Sequence, residues 1–502
     1  MKSNSHIDRL QSSIDRLHLT LGILHARRAS VGSNPCKVAS CLVEVRNPNG
    51  GITDDTDSES YLIDFNDEVG CSVSCATVYG CMHGMQTFIQ LVDPLKGYLM
   101  PSSFRVEDKP EFSYRGLLLD TGRRFLPPSL IIQNIEMLAA TKMNVLHWHI
   151  SDDQSFPIEL ACCPRLSQKG AFSARATYSK QDMREIVEYA ALRGVRVIPE
   201  LDIPGHTDSW LRGYPELLGI AKSAIDPTRE ENYVFLEKML REVADIFDSN
   251  IYEGGPVIHL GGDETDDGWD TPAMREWMAA NGMKTKADLI SVWVSRMSGI
   301  AEKLGFKIIM WDDFLGETNM NISKFGDESN PIVWQSWRHN FTETANMSRA
   351  LNRRFVFSTD FYLDHLDDDW VKFYSVLLDE TNKGNLIGGE ACMWGEWVDE
   401  SNLFARVWPR AAAVAERLWC GLSRCEPDVS VSAAKRLAKW RCRMKELFGY
   451  ANIEPIGPIQ VRTPDQEMRW HTDKEGWYCA ESDLDKEGAE ELLSYEYYTK
   501  SA

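Results

Sequence analysis

The sequence predicts a (β/α)8 TIM barrel preceded by a small α/β (α+β) domain, and three observations carry that reading. Eight short apolar runs, from RGLLLDT at 115–121 to LIGGEACMWGE at 386–396, alternate with longer amphipathic stretches. Those stretches, among them SLIIQNIEMLAATK at 129–142 and KQDMREIVEYAALRG at 180–194, repeat their apolar residues every 3.6 positions or so (about one helical turn), as outer barrel helices do. The chain has 502 residues, 43% of them hydrophobic, enough to bury a large core and more than one domain.

Residues 1–112 form the first domain, with disorder expected over the first 35 or so. Two strand-like runs follow, VASCLVEVRN at 38–47 and SYLIDFND at 60–67, then a helix from Val78 that stops near Pro94. Residues 113–458 make the barrel. Its remaining strands are NVLHWHI, VRVIPELD, PVIHLGGDE, KIIMWDD, PIVWQSW and RFVFSTDFYL, and its last helix is predicted as one element over 403–419. Residues 459–502 turn polar and acidic and read as a loosely packed tail.

Acidic residues outnumber basic ones 75 to 54, a net charge of −21, so a nucleic acid would have to bind against the field of the whole protein. No apolar run is long enough to span a membrane. His6, Asp8, Arg9, Asp15 and Arg16 stand where the apolar core of an export signal would lie, which favours a cytosolic location. The 12 cysteines lack zinc-site spacing and read as buried small hydrophobes in a reducing compartment. Sequons at Asn321, Asn340 and Asn346 point the other way.

In a barrel of this kind the chemistry sits where the strands end. Reading those ends in order collects Arg123, then His147, His149, Asp152 and Asp153, then Glu200, Asp202 and His206, then Asp263 and Glu264. The second half adds Trp311, Asp312 and Asp313, Trp334 and Trp337, Tyr362 and Asp364, and Trp394 and Glu396. Carboxylates and aromatic plates dominate, a combination suited to a sugar ring with apolar faces and hydroxyl edges. No glycine loop followed by Lys marks a phosphate site, and no Gly-x-Ser-x-Gly elbow marks a serine nucleophile.

In HLGGDE (259–264) two glycines precede adjacent acids, and they supply the turn by which both acids can reach the mouth. The pair HWH (147–149) matches the first ligands of a metal-dependent barrel hydrolase, but the later strand ends WDD and WQSW supply no further His. No metal or other cofactor is expected, and the two histidines read as residues that orient carboxylates.

The runs RGLLLDTGRRFLP, HWHISDDQSFP, RGVRVIPELDIPGHTDSW, HLGGDET and GGEACMWGEWVDESNLFARVWPRAAAVAERLW resemble the family 20 glycoside hydrolases, above all lysosomal-type β-N-acetylhexosaminidases. The resemblance spans roughly residues 38–450. It implies a retaining exo-glycosidase that removes terminal β-linked N-acetylglucosamine or N-acetylgalactosamine from glycoconjugates or chitooligosaccharides, through an oxazolinium intermediate made by the substrate's own acetamido group.

By the same resemblance Glu264 is the general acid/base and Asp263 holds the acetamido group. Arg123 and Glu396 grip sugar hydroxyls, Trp311, Trp337 and Trp394 wall the pocket, and Tyr362 bonds the acetamido oxygen. Asp152 and His206 support the acid, and Asp364 disfavours 6-sulfated sugars. Apolar walls and an anionic neighbour are expected to raise the pKa of Glu264. A lysosomal or secreted homodimer acting on a glycan is likewise implied. One family disulfide is missing, since Gly268 precedes Trp269 and no Cys lies between Pro204 and Ala391. The alternative of another class is a sugar-binding barrel without catalysis.

Overall fold

A computed structural model of the chain describes residues 6–28, 41–66, 70–91, 103–248, 255–265, 268–316, 331–425, 431–450, 452–454, 456, 460–462 and 468–470. The first domain is a four-stranded sheet of β1 (Cys41–Val45), β2 (Tyr61–Asn66), β3 (Gly70–Cys75) and β4 (Ser103–Asp108), in the order β1-β3-β2-β4. β1 runs parallel to β3, and β2 lies antiparallel to β3 and β4. The helix Val78–Leu91 covers one face.

Two of these strands escape the sequence reading. In β3, GCSVSC alternates small residues that bury Cys71, Val73 and Cys75, a period-two pattern carried by weak strand formers. In place of the disorder expected near the start, residues His6–Arg28 form a helix. Leu10, Ile14, Leu17 and Leu21 repeat at helical spacing and pack against the sheet's core, so burial of that stripe stabilises the helix.

The second domain is a closed barrel of eight parallel strands: β5 (Tyr114–Asp120), β6 (Val145–Ser151), β7 (Arg196–Leu201), β8 (Val257–His259), β9 (Lys307–Trp311), β10 (Val333–Ser336), β11 (Phe355–Phe357) and β12 (Leu386–Met393). β12 pairs with β5 to close it. The predicted outer helices appear at Pro128–Ala140 and Lys180–Ala191, the first opened by Pro128 and the second by a Ser179–Asp182 capping box. The single helix predicted over 403–419 is instead two, Leu403–Val407 and Arg410–Arg424. They part at Trp408 and Pro409, because proline lacks the N–H that would continue the ladder and crowds the residue before it.

The barrel interior is layered. Tyr114, Val145, Ile198, Val257, Ile309, Val333 and Val356 pack with Ile387 into an apolar plug to which all eight strands contribute. A second buried set is polar: His147, Glu200, His259, Gln335 and Glu390. A third, of Trp311, Trp394, Leu118 and Cys392, is joined by Trp337 and Tyr362. Trp334 lies outside these layers in the main core, fully buried.

Among the described residues the disulfides Cys41–Cys71, Cys75–Cys81 and Cys420–Cys425 replace reduced cysteines expected from spacing, while Cys162, Cys163 and Cys392 stay free. Spacing could not find them, because tertiary pairing brings Cys41 and Cys71 together across the register of β1 and β3. Where relatives are expected to carry the missing disulfide, a Cβ on Gly268 would lie 2.6 Å from Ala224, and Trp269 Nε1 donates to the Ile225 carbonyl at 2.9 Å. Close packing against the Ala224 methyl occupies that place. Gln460–Arg462 pairs antiparallel with Met468–Trp470, and the rest of the expected acidic tail lies outside the described residues. Among the described residues no helix is long and apolar enough to cross a membrane.

A buried ion pair joins the two domains. Arg115, on β5, donates to both oxygens of Glu59, at 2.5 and 3.0 Å, and His83 Nε2 lies 2.8 Å from the same carboxylate. Burial opposes the charge, but Arg115 and His83 hold the Glu59 pKa down at about 2, against an ordinary 4.5. Its folded pKa is depressed, so its contribution is complete above the unfolded value and fades as pH falls towards about 2. Glu59→Gln is expected to cost about 3–5 kcal/mol near neutral pH, as breaking one partner of a buried pair does. Urea unfolding of both forms should show the gap closing in strong acid, and a gap independent of pH would refute the assignment.

Candidate active site

The loop after β5 aims Arg123 across the barrel mouth. Asp120 Oδ1 accepts the N–H groups of Gly122 and Arg123, both at 3.0 Å, and its Oδ2 accepts that of Gly395 at 2.9 Å. A side chain at Gly122 would strike the backbone of Asp152, 2.6 Å away, so glycine lets the loops after β5 and β6 touch. The Arg123 guanidinium pairs with Asp120 at 3.0 Å, Asp152 at 3.1 Å and Glu396 at 3.1 Å, and lies 5.0 Å from the ring centre of Trp394. Burial disfavours its charge, yet the three carboxylates outweigh burial and raise its pKa.

The adjacent acids sit on a left-handed turn. β8 ends at His259, and Gly261 and Gly262 follow with φ of 60° and 100°. A Cβ on Gly261 would overlap Asp202 Oδ1, and that same oxygen accepts the Gly262 N–H at 3.0 Å, so the chain wraps closely around Asp202. Glu264 itself has φ of 50°, outside the ordinary range for a non-glycine residue. The turn sends Asp263 inward, with its side chain 14% exposed, and Glu264 outward, 58% exposed. Burial raises the pKa of Asp263, with the charge of Glu200 adding to the rise and that of His206 opposing it. Asp263 Oδ1 is buried with no hydrogen-bond partner among the described residues, and so is Asp364 Oδ1.

His206, at φ of 48°, bridges the two carboxylate groups. Its Nδ1 lies 3.2 Å from Asp152 Oδ1, and its Nε2 lies 3.5 Å from Glu264 Oε2 and 3.8 Å from Asp263 Oδ2. Burial opposes a charged imidazole here, but Asp202, Asp152, Glu264 and Asp263 outweigh it and raise the pKa of His206. The expected rise at Glu264 is therefore reversed. The hydrogen bond with His206 comes first among the causes that lower its pKa, with Arg123 and Arg338 helping and partial burial opposing. The anionic neighbours charge the histidine, and the histidine in turn favours the carboxylate.

Aromatic rings wall the space above. Trp311 and Trp394 lie 5.8 Å apart, Trp394 and Tyr362 6.3 Å, and Tyr362 stacks with Trp337 at 6.3 Å. Trp337 is held by its indole N–H, which donates to Asp313 at 2.6 Å. Arg338 pairs with that carboxylate at 2.5 Å, and the Glu264 N–H reaches it at 3.4 Å. Burial lifts Asp312 and Asp313 to about 6. All eleven residues expected at the site thus lie around one mouth. Arg338 and Glu390 escape the sequence reading. Arg338 follows its strand by two positions, and Glu390 is buried below the mouth, where His147 lies 2.8 Å from it and Tyr114 donates at 2.6 Å.

Several donor groups lie close enough together to hold a cation, including His147, Glu200 and His259 within 4.8 Å of one another. In that group Glu200 already serves as partner to imidazole and indole nitrogens.

The profile of the "Glycosyl hydrolase family 20, catalytic domain" matches residues 112–422. The chain belongs to that family. It is 36% identical to human beta-hexosaminidase subunit beta over 79% of this chain and 73% of that one. Against beta-hexosaminidase 1 of Arabidopsis thaliana the identity is 35%, over 77% and 73% of the two chains. The solved chitobiase of Flavobacterium johnsoniae superposes with a TM-score of 0.73 at 28% identity, covering 89% of this chain and 68% of the other. Gly261 sets the turn that carries the neighbouring acids Asp263 and Glu264. Gly261→Ala is expected to reduce hydrolysis by about 10²-fold or more, since displacements of about 1 Å have that effect. Steady-state rates alongside circular dichroism would check this, and an undiminished rate would show that the turn is dispensable.

Proposed function

We propose that the protein is a retaining exo-acting β-N-acetylhexosaminidase, with residues 113–458 as its catalytic unit, cleaving terminal β-linked N-acetylglucosamine or N-acetylgalactosamine by substrate assistance. The observation that carries this reading is the unpartnered Asp263 Oδ1, buried beside the aromatic walls and next in sequence to an exposed acid. An acceptor left bare in such a place gains from a ligand N–H, and an acetamido group supplies one.

Ordinary retaining glycosidases set a nucleophilic carboxylate about 5 Å from the acid, and family 20 is an exception to that arrangement. The acetamido oxygen attacks the anomeric carbon, the glycosidic bond breaks, and an oxazolinium ion forms. Asp263 accepts the amide N–H and stabilises the positive charge that develops there, while Tyr362 donates to the acetamido oxygen. Trp311, Trp337 and Trp394 pack on the methyl group and the ring, and Arg123 and Glu396 bond the hydroxyls at the pocket floor. Glu264 protonates the leaving oxygen and afterwards takes a proton from the attacking water.

The carboxylates around His206 raise its pKa, so this imidazole is the group suited to hold the proton. A bound leaving group covers the exposed Glu264 and disfavours its charge, so the proton crosses from His206 Nε2 to Glu264 Oε2. Asp152 then holds the neutral imidazole through Nδ1. The three disulfides support a lysosomal or secreted location over the cytosolic one. A homodimer rests on family resemblance, and molar mass by light scattering would test it.

Glu264→Gln is expected to lower turnover of an unactivated disaccharide by about 10²–10⁴-fold, with a smaller loss for aryl glycosides whose leaving group needs no proton. Equal losses on both substrates would remove the acid assignment. A thiazoline mimic of the cyclic intermediate should inhibit tightly, and an enzyme indifferent to it would not be using substrate assistance. Asp364 opposes a 6-sulfate by like charge, so Asp364→Asn should narrow the rate difference between plain and sulfated aryl glycosides. An unchanged ratio would release Asp364 from that role.

A further inference from the structure

Below the mouth, Glu200 on β7 is fully buried and meets four nitrogens from three other strands. His147 Nε2 on β6 lies 3.1 Å away, His259 Nδ1 on β8 2.9 Å, and Trp311 Nε1 on β9 donates at 2.8 Å. The fourth is His149 Nδ1, at 2.5 Å from Glu200 Oε2. From His149 the contacts run outward without a break. Its Nε2 lies 3.0 Å from Asp152 Oδ2, Asp152 Oδ1 lies 3.2 Å from His206 Nδ1, and His206 Nε2 lies 3.5 Å from Glu264 Oε2. Carboxylate and imidazole alternate over five residues, from the barrel interior to the exposed acid.

We infer that Glu200 is a positioning residue for the acid: through His149 and Asp152 it keeps His206 oriented and charged, so that one proton is stored beside Glu264. The inference rests on the hexosaminidase reading and adds to it the two inner residues of the chain. Alternation is what makes the storage work. Each imidazolium has an anion on both sides, and each inner anion is matched by N–H donors, so no member is buried with an unbalanced charge.

The charged groups that face this chain agree with that. Around His149 stand Glu200, Asp152 and Asp120, and together they outweigh burial and hold its pKa well above the usual imidazole range. His147 is likewise raised, to about 9, by Glu390 and Glu200 against burial, while burial keeps His259 low. Asp202 and Asp263 face His206 from the other side, and Arg123 faces Asp152. Glu200 thus balances two cationic imidazoles on β6, one directed to Glu390 and the other to the acid. Replacing it with a neutral isostere removes the anion at the inner end, and every proton held along the chain becomes easier to lose.

The test is Glu200→Gln in the full chain, assayed across pH on chitobiose and on a dinitrophenyl N-acetyl-β-glucosaminide. The alkaline limb of kcat/KM is expected to move to lower pH by about one unit, an ordinary effect of deleting one nearby charge. At the optimum, kcat on chitobiose should fall by about 10–100-fold with KM nearly unchanged, and the dinitrophenyl substrate should lose much less. Trp311→Phe, which removes the indole donor and keeps the charge chain, should leave the limb in place. A variant that loses both substrates equally, with the parent's pH limb, would make Glu200 a structural residue only and overturn the inference.

If Glu200→Gln does not fold, histidine nitrogen NMR on the native enzyme decides the matter. His149 should stay doubly protonated through neutral pH, and a neutral His149 at mildly acid pH would sink the proposal. A native enzyme that fails to cleave either substrate would instead defeat the hexosaminidase reading itself.

Discussion

The site depends on how the barrel handles buried negative charge. Glu200 and Glu390 lie inside it, each fully buried, and an unpaired carboxylate there would cost several kcal/mol or more. The structure meets this with imidazoles from β6 and β8, an indole from β9, the hydroxyl of Tyr114 and the amide of Gln335. These contacts do more than satisfy charge. They fix the ring of Trp311, the ring of His149 and through it Asp152, so the aromatic wall and the carboxylates share one set of anchors.

Above that layer the backbone has little freedom. Gly261 and Gly262 bend around Asp202, and His206 and Glu264 both take left-handed conformations. Backbone of this kind persists where its surroundings over-determine it. Here the surroundings are Asp313 on the Glu264 amide, Asp202 on the Gly262 amide, and the His206 bridge between Asp152 and Glu264. Two acids next to each other in sequence thereby receive opposite environments. Asp263 is largely enclosed, its Oδ1 short of a donor among the described residues, and Glu264 is exposed and paired. Differing roles for identical chemistry follow from that contrast.

Much of this was legible in the residues. Eight apolar runs at barrel spacing disclosed the strands, and the rule that chemistry gathers at strand ends pointed to the eleven site residues from Arg123 to Glu396 but passed over Arg338 and Glu390. Legibility failed where the signal was weak or absent. The strand GCSVSC hid behind small residues, the N-terminal helix showed only a four-leucine-type stripe, and the disulfides joined cysteines whose spacing followed no motif. Pro409 was visible in the predicted last helix and should have divided it there.

The sequence by itself determined the fold class and set two adjacent acids at one strand end, because hydrophobic periodicity and residue type are local properties of the chain. Only the tertiary structure decided how those acids are charged. A pKa depends on what lies within a few ångströms, and the neighbours of Glu264 come from the loops after β5, β7 and β10. Apolar walls and an anionic neighbour alone point to a raised pKa at Glu264. The fold inserts His206 between it and Asp152, and that imidazole lowers the Glu264 pKa while the surrounding carboxylates raise its own.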